Sequence, residues 1–323
     1  MSVTKLEITR DPAEQAFFLP RPYRDETDLE KMRKLLQAGR QASNGTYYVH
    51  TGDLSWWLFY PPLDFDLWQF LHIWDDPLDS EDILAWALVS PDWYTADVIL
   101  QPPLRGSLLA QQMYLWAEDE ITAVARKDGK NLIRVMWVGE DDHVMDEHLR
   151  QRGFLRAKED VSMLRSFEDD IPSPTLPPGY CMRGCLGEAE LEQRARAQYG
   201  SFGNTAPFER YVERWQRFMR SPVYQPELDV VAAAPDGQIG AFCITWLDPV
   251  SKAGNFEPVG THPDFQRKGL GKAVMLEALR RLKEHGMTRA IVCTAETNTP
   301  AVRLYESVGF HVANRLGIYE KNI

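Results

Sequence analysis

The chain has 323 residues, a length at which one hydrophobic core usually gives way to two domains. Its formal net charge of −11 argues against a nucleic-acid-binding surface and is compatible with a cationic substrate. The sequence lacks the uninterrupted apolar stretch of about 18 residues that a membrane-spanning helix requires, and its beginning lacks the apolar segment of a signal peptide. These features predict a globular, cytoplasmic protein that binds neither nucleic acid nor membranes.

The four cysteines give no indication of a metal site. Cys181, Cys185, Cys243 and Cys293 have neither the spacing of a zinc site nor histidine partners in register. Because disulfides are rare in the cytosol, we expect reduced thiols and no metal cofactor.

The first half of the chain is rich in tryptophan. Residues 83–89 and 98–100 predict central strands, and residues 108–125 predict the helix that follows them. Large aromatic side chains bury much apolar area, so we expect most of them to pack in a core. The alternative is that these aromatic side chains line an apolar substrate pocket. The residues concerned are Trp56, Trp57, Phe59, Tyr60, Trp68, Phe70, Trp74, Trp86 and Trp93.

A proline-rich segment divides the chain. Residues 167–178 combine acidic side chains with four prolines, which exclude a helix or a central strand and predict an extended linker. We therefore expect two domains, over residues 1–166 and 179–323, joined by a linker at residues 167–178.

The segment after the linker alternates between strand and helix patterns. Its first predicted elements are strands at residues 180–183, 228–234 and 239–246 and helices at residues 188–200 and 207–219. The turn Asp236-Gly237 joins the second and third strands into a hairpin. A strand, a loop with a helix, another strand, a helix and a final strand complete the predicted order.

The loop at residues 266–272 reads Gln-Arg-Lys-Gly-Leu-Gly-Lys and precedes a helix predicted over residues 270–285. Its glycines let the backbone approach a ligand closely, and the first amides of the helix, with their partial positive charge, suit a pyrophosphate. Arg267, Lys268 and Lys272 add mobile cations. The segment therefore predicts an anion-binding loop.

Spacing excludes two common phosphate loops. Lys272 is followed by Ala273, whereas a P-loop has Ser or Thr there. The residue three positions after Gly271 is Val274, whereas the dinucleotide fingerprint needs glycine. What the loop resembles is the Q/R-x-x-G-x-G/A loop of the GNAT N-acetyltransferase superfamily, which cradles the pyrophosphate of acetyl-coenzyme A.

Two flanking signatures carry the same resemblance. Residues 256–263 are similar to the fourth strand of the family, with Thr261 in place of the usual valine before the loop. Residues 298–310 are similar to the family pattern N-x-x-A-x-x-L-Y-x-x-x-G-F, in which Asn298 caps a helix and Gly309 ends it. The resemblance covers residues 179–323.

The first half repeats the closing part of this pattern. Residues 149–154 end in Gly153-Phe154, about half the chain away from Gly309, which indicates a duplication. The resemblance implies an α/β (α+β) protein of two GNAT-like domains, each a mixed, mostly antiparallel central sheet flanked by helices. Leu149 stands where Tyr305 stands, and Asp142 stands where Asn298 stands, so the first copy is degenerate. A structural or substrate-shaping role is expected for it, with a second coenzyme site as the alternative.

The resemblance also assigns roles around the coenzyme. The backbone of residues 259–261 would pair with the pantetheine arm, the loop amides would hold the pyrophosphate, and Asn298 would contact the pantetheine or thioester end. The implied coenzyme-binding residues are Val259, Gly260, Thr261, Gln266, Arg267, Lys268, Gly269, Leu270, Gly271, Lys272, Asn298, Ala301 and Tyr305.

Two residues are expected to carry the chemistry. Tyr305 is the expected general acid for the leaving thiolate, because a phenol is protonated at neutral pH. Glu257 is the expected base, either directly or through a water, with substrate anchoring and a structural role as alternatives. Some family members place a glutamate two residues earlier, where this chain has Asn255.

These features predict transfer of an acetyl group from acetyl-coenzyme A to a primary amine, by direct attack in a ternary complex. A small molecule, a peptide amino terminus and a protein lysine all remain open as acceptors, as do the acyl chain length and the oligomeric state. The rival hypothesis is a non-catalytic regulatory protein that binds acyl-coenzyme A.

Overall fold

The computed structural model describes residues 19–323, apart from residues 44, 46, 65, 205 and 206. The predicted absence of a signal segment concerns residues that lie outside this part of the chain. The strands are β1 (Arg21–Pro22), β2 (Leu71–Asp75), β3 (Ile83–Ser90), β4 (Thr95–Leu100), β5 (Leu132–Gly139), β6 (Leu155–Ser166), β7 (Cys181–Gly184), β8 (Asp229–Ala233), β9 (Ile239–Asp248), β10 (Ala253–Thr261), β11 (Arg289–Ala295) and β12 (His311–Asn322).

The helices flank these strands, and most predicted elements lie within a few residues of their expected positions. The helices are α1 (Glu26–Ala42), α2 (Thr51–Phe59), α3 (Leu108–Lys127), α4 (His143–Gln151), α5 (Leu191–Ser201), α6 (Phe208–Met219), α7 (Leu270–Glu284) and α8 (Thr299–Ser307). Residues 170–177 adopt neither helix nor strand, as the prolines predict.

The described strands form one mixed sheet in the order β1-β2-β3-β4-β5-β12-β6-β11-β10-β9-β8-β7. Its neighbours pair antiparallel except at two places, between β4 and β5 and between β10 and β11. Each parallel pair is joined by a helix crossover, α3 in the first half and α7 in the second. The predicted fold class, a mixed and mostly antiparallel sheet flanked by helices, is confirmed.

The two halves meet in the middle of this sheet. β12, the last strand of the chain, pairs with β5 of the first half, and β6 of the first half pairs with β11 of the second. β12 and β6 also pair with each other, antiparallel. Each half therefore places its final strand beside the parallel pair of the other half, so the sheet is continuous across the predicted domain boundary.

Helix α7 packs the core of the second half against this sheet. Its buried positions include Leu270, Val274 and Leu279, whose helical spacing places them on the inward face. They join a cluster with Phe256 of β10 and Val292 of β11. The start of α7 is therefore held at the end of β10, where the predicted anion-binding loop lies.

Helix α2 connects the first half to the second. His50 caps α2, since its Nδ1 accepts a hydrogen bond from the backbone N–H of Gly52 at 2.9 Å. Its Nε2 must then carry the proton, and it donates to the carbonyl of Ala253 in β10 at 3.1 Å. Burial and the nearby Arg40 lower the pKa of His50 to about 4, so the imidazole is neutral at physiological pH.

Close packing completes this contact. A Cβ built on Gly52 would lie 2.3 Å from Trp246 of β9, so only glycine permits the observed approach of α2. Further along α2, Trp56 stacks on Tyr60, and both rings pack against Phe218 of the second half. The first turn of α2 is thereby fixed beside β9 and β10.

Candidate active site

The coenzyme groove predicted along β10 begins where two strands separate. The parallel ladder between β10 and β11 runs from Ala253–Arg289 to Phe256–Val292, whereas β10 continues to Thr261 and β11 to Ala295. The backbone after Phe256 therefore faces a gap on its β11 side. Such an edge can pair with an extended ligand as an added strand would.

A bulge lies at the start of this gap. The pairing of β10 with β9 shifts register between Phe256 and Val259, so one strand carries an extra residue there. Bulges redirect side chains and are frequent beside active sites. Here Glu257 and Val259 both line the cavity described below.

The loop at residues 266–269 is exposed and leads directly into α7. Gly269 is the residue before α7, with φ 78°, and no side chain caps the first amides of the helix. A Cβ on Gly271 would lie 2.8 Å from the hydroxyl of Thr261, so glycine permits the close packing of this turn on β10. These features fit the diphosphate of coenzyme A, which the amides of this turn and Lys272 would hold.

The start of α3 in the first half differs from this turn. Ser107 precedes α3, and its side chain accepts a hydrogen bond from Ala110 N–H. Arg105 forms an ion pair with Asp142, the residue at the position of Asn298. One of the first amides of α3 and the cation beside it are therefore already engaged by the protein itself.

A cavity of about 680 Å³ lies between the halves. Its wall includes Glu257, Asn298, Ala301 and Tyr305 of the second half, together with residues of the first half. Five predicted site residues, these four and Val259, are thus brought to one cavity. Gly260, Thr261 and the loop residues 266–272 lie outside its wall, at the β10 end and the start of α7.

Asn298 and Ala301 form the local structure predicted for them. Asn298 caps α8 by accepting a hydrogen bond from Ala301 N–H at 3.4 Å, and its amide donates to Thr294 Oγ1 at 3.1 Å. The cap fixes the first turn of α8 at the cavity wall.

Tyr305 lies one helical turn beyond Ala301 in α8. Its side chain is 6% exposed, and burial, with Cys293 and Glu257 nearby, raises the pKa of the phenol. The phenol therefore keeps its proton at physiological pH, which a general acid requires.

Two groups that line the same cavity as Tyr305 were not predicted from the sequence as site residues. The thiol of Cys293 on β11 is accessible from the cavity, and burial and Asp160 raise its pKa, so it is a neutral thiol. Asp53, in the first turn of α2, accepts a hydrogen bond from Asn255 Nδ2 at 2.5 Å. Asp53 is distant from Glu257 in sequence, and its local pattern signals only a helix cap.

The carboxyl of Glu257 is strongly perturbed. Burial, and the negative charge of Asp53, raise the pKa of Glu257 well above its usual value. Its backbone is also held in place, because Trp246 Nε1 donates to Glu257 O at 2.7 Å. A carboxyl with a raised pKa is a stronger base once ionised.

Asp97 on β4 is a second, half-buried acid of the cavity. Within the described chain, no hydrogen bond or ion pair engages its carboxyl, and burial raises its pKa to about 7. The folded protein therefore binds a proton at Asp97 that the unfolded chain releases near pH 4. Unfolding free energy should fall as pH rises from about 4 to about 7 on account of this group.

Asp97→Asn should remove that pH dependence. We expect the melting temperature of the variant to exceed that of the wild type by an amount that grows between pH 5 and pH 8. Thermal unfolding followed by circular dichroism over this range tests it. A constant difference between the two proteins would show that Asp97 is ionised in the folded state throughout.

The aromatic side chains of the first half divide between the two predicted roles. Trp86 and Trp74 are buried in core clusters, and Trp56 packs against the second half, as expected for core residues. Trp57 lines the cavity, whereas Trp93 is 65% exposed and belongs to neither group. In the second half, Trp215 is fully buried.

Two features are absent from the described ranges: a metal-binding group and a membrane-spanning helix. No group of three or more His, Cys, Asp or Glu side chains there is arranged to hold a metal ion. None of the helices described is both long and apolar enough to cross a bilayer.

The chain is similar in sequence to known acetyltransferases. Residues 189–310 match the model of the acetyltransferase (GNAT) family. The chain is 26% identical to mycothiol acetyltransferase of Thermobispora bispora, over 72% of this chain and 78% of that protein. It is 30% identical to mycothiol acetyltransferase of Saccharomonospora viridis, over 52% of this chain and 58% of that protein.

Solved structures show the same fold over nearly the whole chain. A tandem GNAT protein from the clavulanic acid biosynthesis pathway superposes with a TM-score of 0.66 at 14% identity, covering 94% of this chain and 97% of the other. A GCN5-related N-acetyltransferase from Sphaerobacter thermophilus has a TM-score of 0.64 at 20% identity, covering 93% and 94%. The chain is therefore an acyltransferase in which residues 189–310 match the GNAT family, and it has the fold of a tandem GNAT protein.

Proposed function

We propose that the protein transfers an acetyl group from acetyl-coenzyme A to the primary amine of a small acceptor. The observation that carries this proposal is the convergence of Glu257, Tyr305 and Asn298 on one cavity, next to the gap between β10 and β11. The gap offers backbone groups for an extended arm, and the turn before α7 offers amides for a diphosphate.

In the proposed step the acceptor nitrogen forms a bond to the thioester carbonyl carbon, and the bond from that carbon to sulfur breaks. Glu257 takes the proton that the ammonium group loses. The nitrogen loses a second proton to solvent after it bonds to the carbonyl carbon. Tyr305 gives its hydroxyl proton to the departing sulfur and regains one from solvent. The backbone N–H near Val259 would face the developing oxyanion.

The cavity favours a small acceptor over a folded protein. Its volume of about 680 Å³ lies between the halves and is of the size that holds a small ligand. Its first-half wall carries Arg40, Arg105 and Arg134, together with acids that form no ion pair among the described residues and can attract a cation: Asp53, Asp97, Glu140, Asp141 and Asp160. The names of the relatives, mycothiol acetyltransferases, also favour a small-molecule acceptor.

The two halves would then divide the work. Residues 179–323 would hold the coenzyme and the reacting groups, residues 167–178 would act as linker, and residues 1–166 would shape the acceptor side. Ser107 and the ion pair of Arg105 with Asp142 disfavour a second coenzyme site in the first half.

Calorimetry followed by a turnover assay tests the function. We expect coenzyme A to bind with one site per chain, and at least one amine of a diverse panel to release free thiol from acetyl-coenzyme A. Binding without turnover on any small or peptide amine would favour the rival, a non-catalytic acyl-coenzyme A-binding protein.

Charge removal at the proposed diphosphate turn provides a second test. Arg267→Ala combined with Lys272→Ala should raise the Kd for coenzyme A by about tenfold at low salt and by less at high salt. The matched control combines Arg126→Ala with Lys127→Ala in the last turn of α3, which removes equal charge away from the site. Equal weakening in both pairs would mean that net charge, rather than this turn, attracts the coenzyme.

A further inference from the structure

The active site of the second half contains a carboxylate from the first half. Asp53 lies in the first turn of α2, and its Oδ1 accepts a hydrogen bond from Asn255 Nδ2 at 2.5 Å. Asn255 and Glu257 are two residues apart on β10, and Asp53 and Glu257 line the same cavity, where burial and the charge of Asp53 raise the pKa of Glu257. Two neighbouring carboxyl groups that repel each other when both are ionised favour a state in which one of them holds a proton.

The surroundings indicate which partner carries the charge. Asp53 accepts from two donors, Asn255 Nδ2 at 2.5 Å and the backbone N–H of His50 at 2.7 Å, and it lies at a helix N-terminus. Each of these interactions stabilises an ionised carboxylate. Glu257 has no comparable set of donors among the described residues, so the shared proton resides on Glu257.

We propose that Asp53 and Glu257 form a proton-sharing carboxyl pair that binds the ammonium group of the acceptor and receives its proton. Asp53 is the positioning residue of this pair, and Glu257 is the base. This inference rests on the proposed amine acetylation. It assigns the first half a direct part in the chemistry, beyond shaping a pocket.

The pair explains how a cationic acceptor is both bound and deprotonated. With both carboxyls ionised, two negative charges face the entering ammonium, which favours its binding. When Glu257 takes one proton from that ammonium, the repulsion between the carboxylates is relieved and the proton is held in the bond to Asp53. The raised proton affinity of Glu257 therefore drives the transfer.

Several other charged or titratable groups surround the pair. On the first-half side, Arg40 of α1 lies 3.7 Å from Asp248 of β9, and His50 is neutral. On the second-half side, Cys293 of β11 and Tyr305 of α8 keep their protons. Three further charged residues line the same cavity and are the same in every variant below: Asp97 of β4, Asp160 of β6 and Arg289 of β11. Differences in pH dependence between the wild type and those variants therefore report on the two carboxyls.

Variants of the two hydrogen-bond partners should move the pH profile in opposite directions. In Asp53→Asn the neighbouring charge is lost, so the pKa of Glu257 falls and the acidic limb of kcat/KM for the amine should shift down by at least about one pH unit, with a lower plateau. In Asn255→Ala a donor to Asp53 is lost, and the limb should shift to higher pH. Glu209→Gln is the control, because it removes one charge from an exposed first turn of α6 and should leave the limb in place.

A readout without turnover separates this proposal from the proposed function. The protonated carboxyl of Glu257 should give an infrared C=O band that disappears as pH rises. The band should disappear at lower pH in Asp53→Asn. In Glu257→Gln the band should be absent at every pH. Melting temperature and coenzyme binding confirm that each variant is folded. If the pH at which this band disappears is the same in the wild type, Asp53→Asn and Asn255→Ala, the pair is overturned, whether or not an amine is turned over. Where an amine is turned over, the acidic limb of kcat/KM should then also be unchanged in both variants.

Discussion

Glu257→Gln is expected to lower kcat by about 10²- to 10⁴-fold and to abolish the acidic limb of the pH–rate profile. Glutamine keeps the shape of the side chain but cannot take a proton from the ammonium. Because Glu257 is held beside Asp53 and its pKa is raised, the wild-type rate should increase with pH as the pair becomes fully ionised. Steady-state rates at saturating acetyl-coenzyme A, from pH 5 to pH 10, measure both effects.

The outcome distinguishes the roles that the sequence left open for this residue. A retained acidic limb with a raised KM for the amine would make Glu257 an anchor for the cation rather than the base. A loss of activity that accompanies a lower melting temperature would indicate a structural role. Coenzyme affinity should be unchanged whether Glu257 is the base or the anchor, because the proposed diphosphate turn lies at residues 266–272, outside the cavity wall.

Tyr305→Phe is expected to lower kcat by about 10²-fold, with little change in the Kd for coenzyme A. The change removes the hydroxyl proton that the departing sulfur requires and keeps the aromatic ring. The ring packs in the core of the second half, so the fold should be retained. Calorimetry and stopped-flow measurement of thiol release separate coenzyme binding from chemistry.

Tyr94→Phe is the matched control for this variant, because Tyr94 lies on the first half outside the cavity wall, where its hydroxyl is 3.4 Å from Asp128. It should leave kcat unchanged. Unchanged turnover in Tyr305→Phe would remove the phenol from the mechanism. The thiol would then have to leave unaided or take its proton from another source.

Much of the second half could be predicted because its signals are local. The turn at residues 266–272 and the cap at Asn298 are contiguous patterns whose glycines, cations and side-chain acceptor act within a few residues. Tyr305 follows Asn298 by two helical turns, so helix geometry alone places both on one wall. Hence the fold class and the positions of the predicted second-half residues followed from short segments.

Other features depended on contacts between distant residues. The exchange of β6 and β12 between the halves carries no sequence signal, because backbone hydrogen bonds can join a strand to either neighbour. The bulge at Glu257 and the end of the β10–β11 ladder also appear only when the register is known. Residue type alone also misled at Trp93, because a tryptophan is usually buried and this side chain is 65% exposed.

The sequence by itself determined the local structure of the proposed coenzyme side, because its loop, caps and helix spacing are properties of contiguous residues. Only the tertiary structure decided the proposed acceptor side. Asp53 and Glu257 meet because Gly52 lets α2 approach Trp246 and because His50 bonds across the interface to Ala253. Such a meeting depends on close packing between two halves of the chain, and packing of that kind is not encoded in any local pattern.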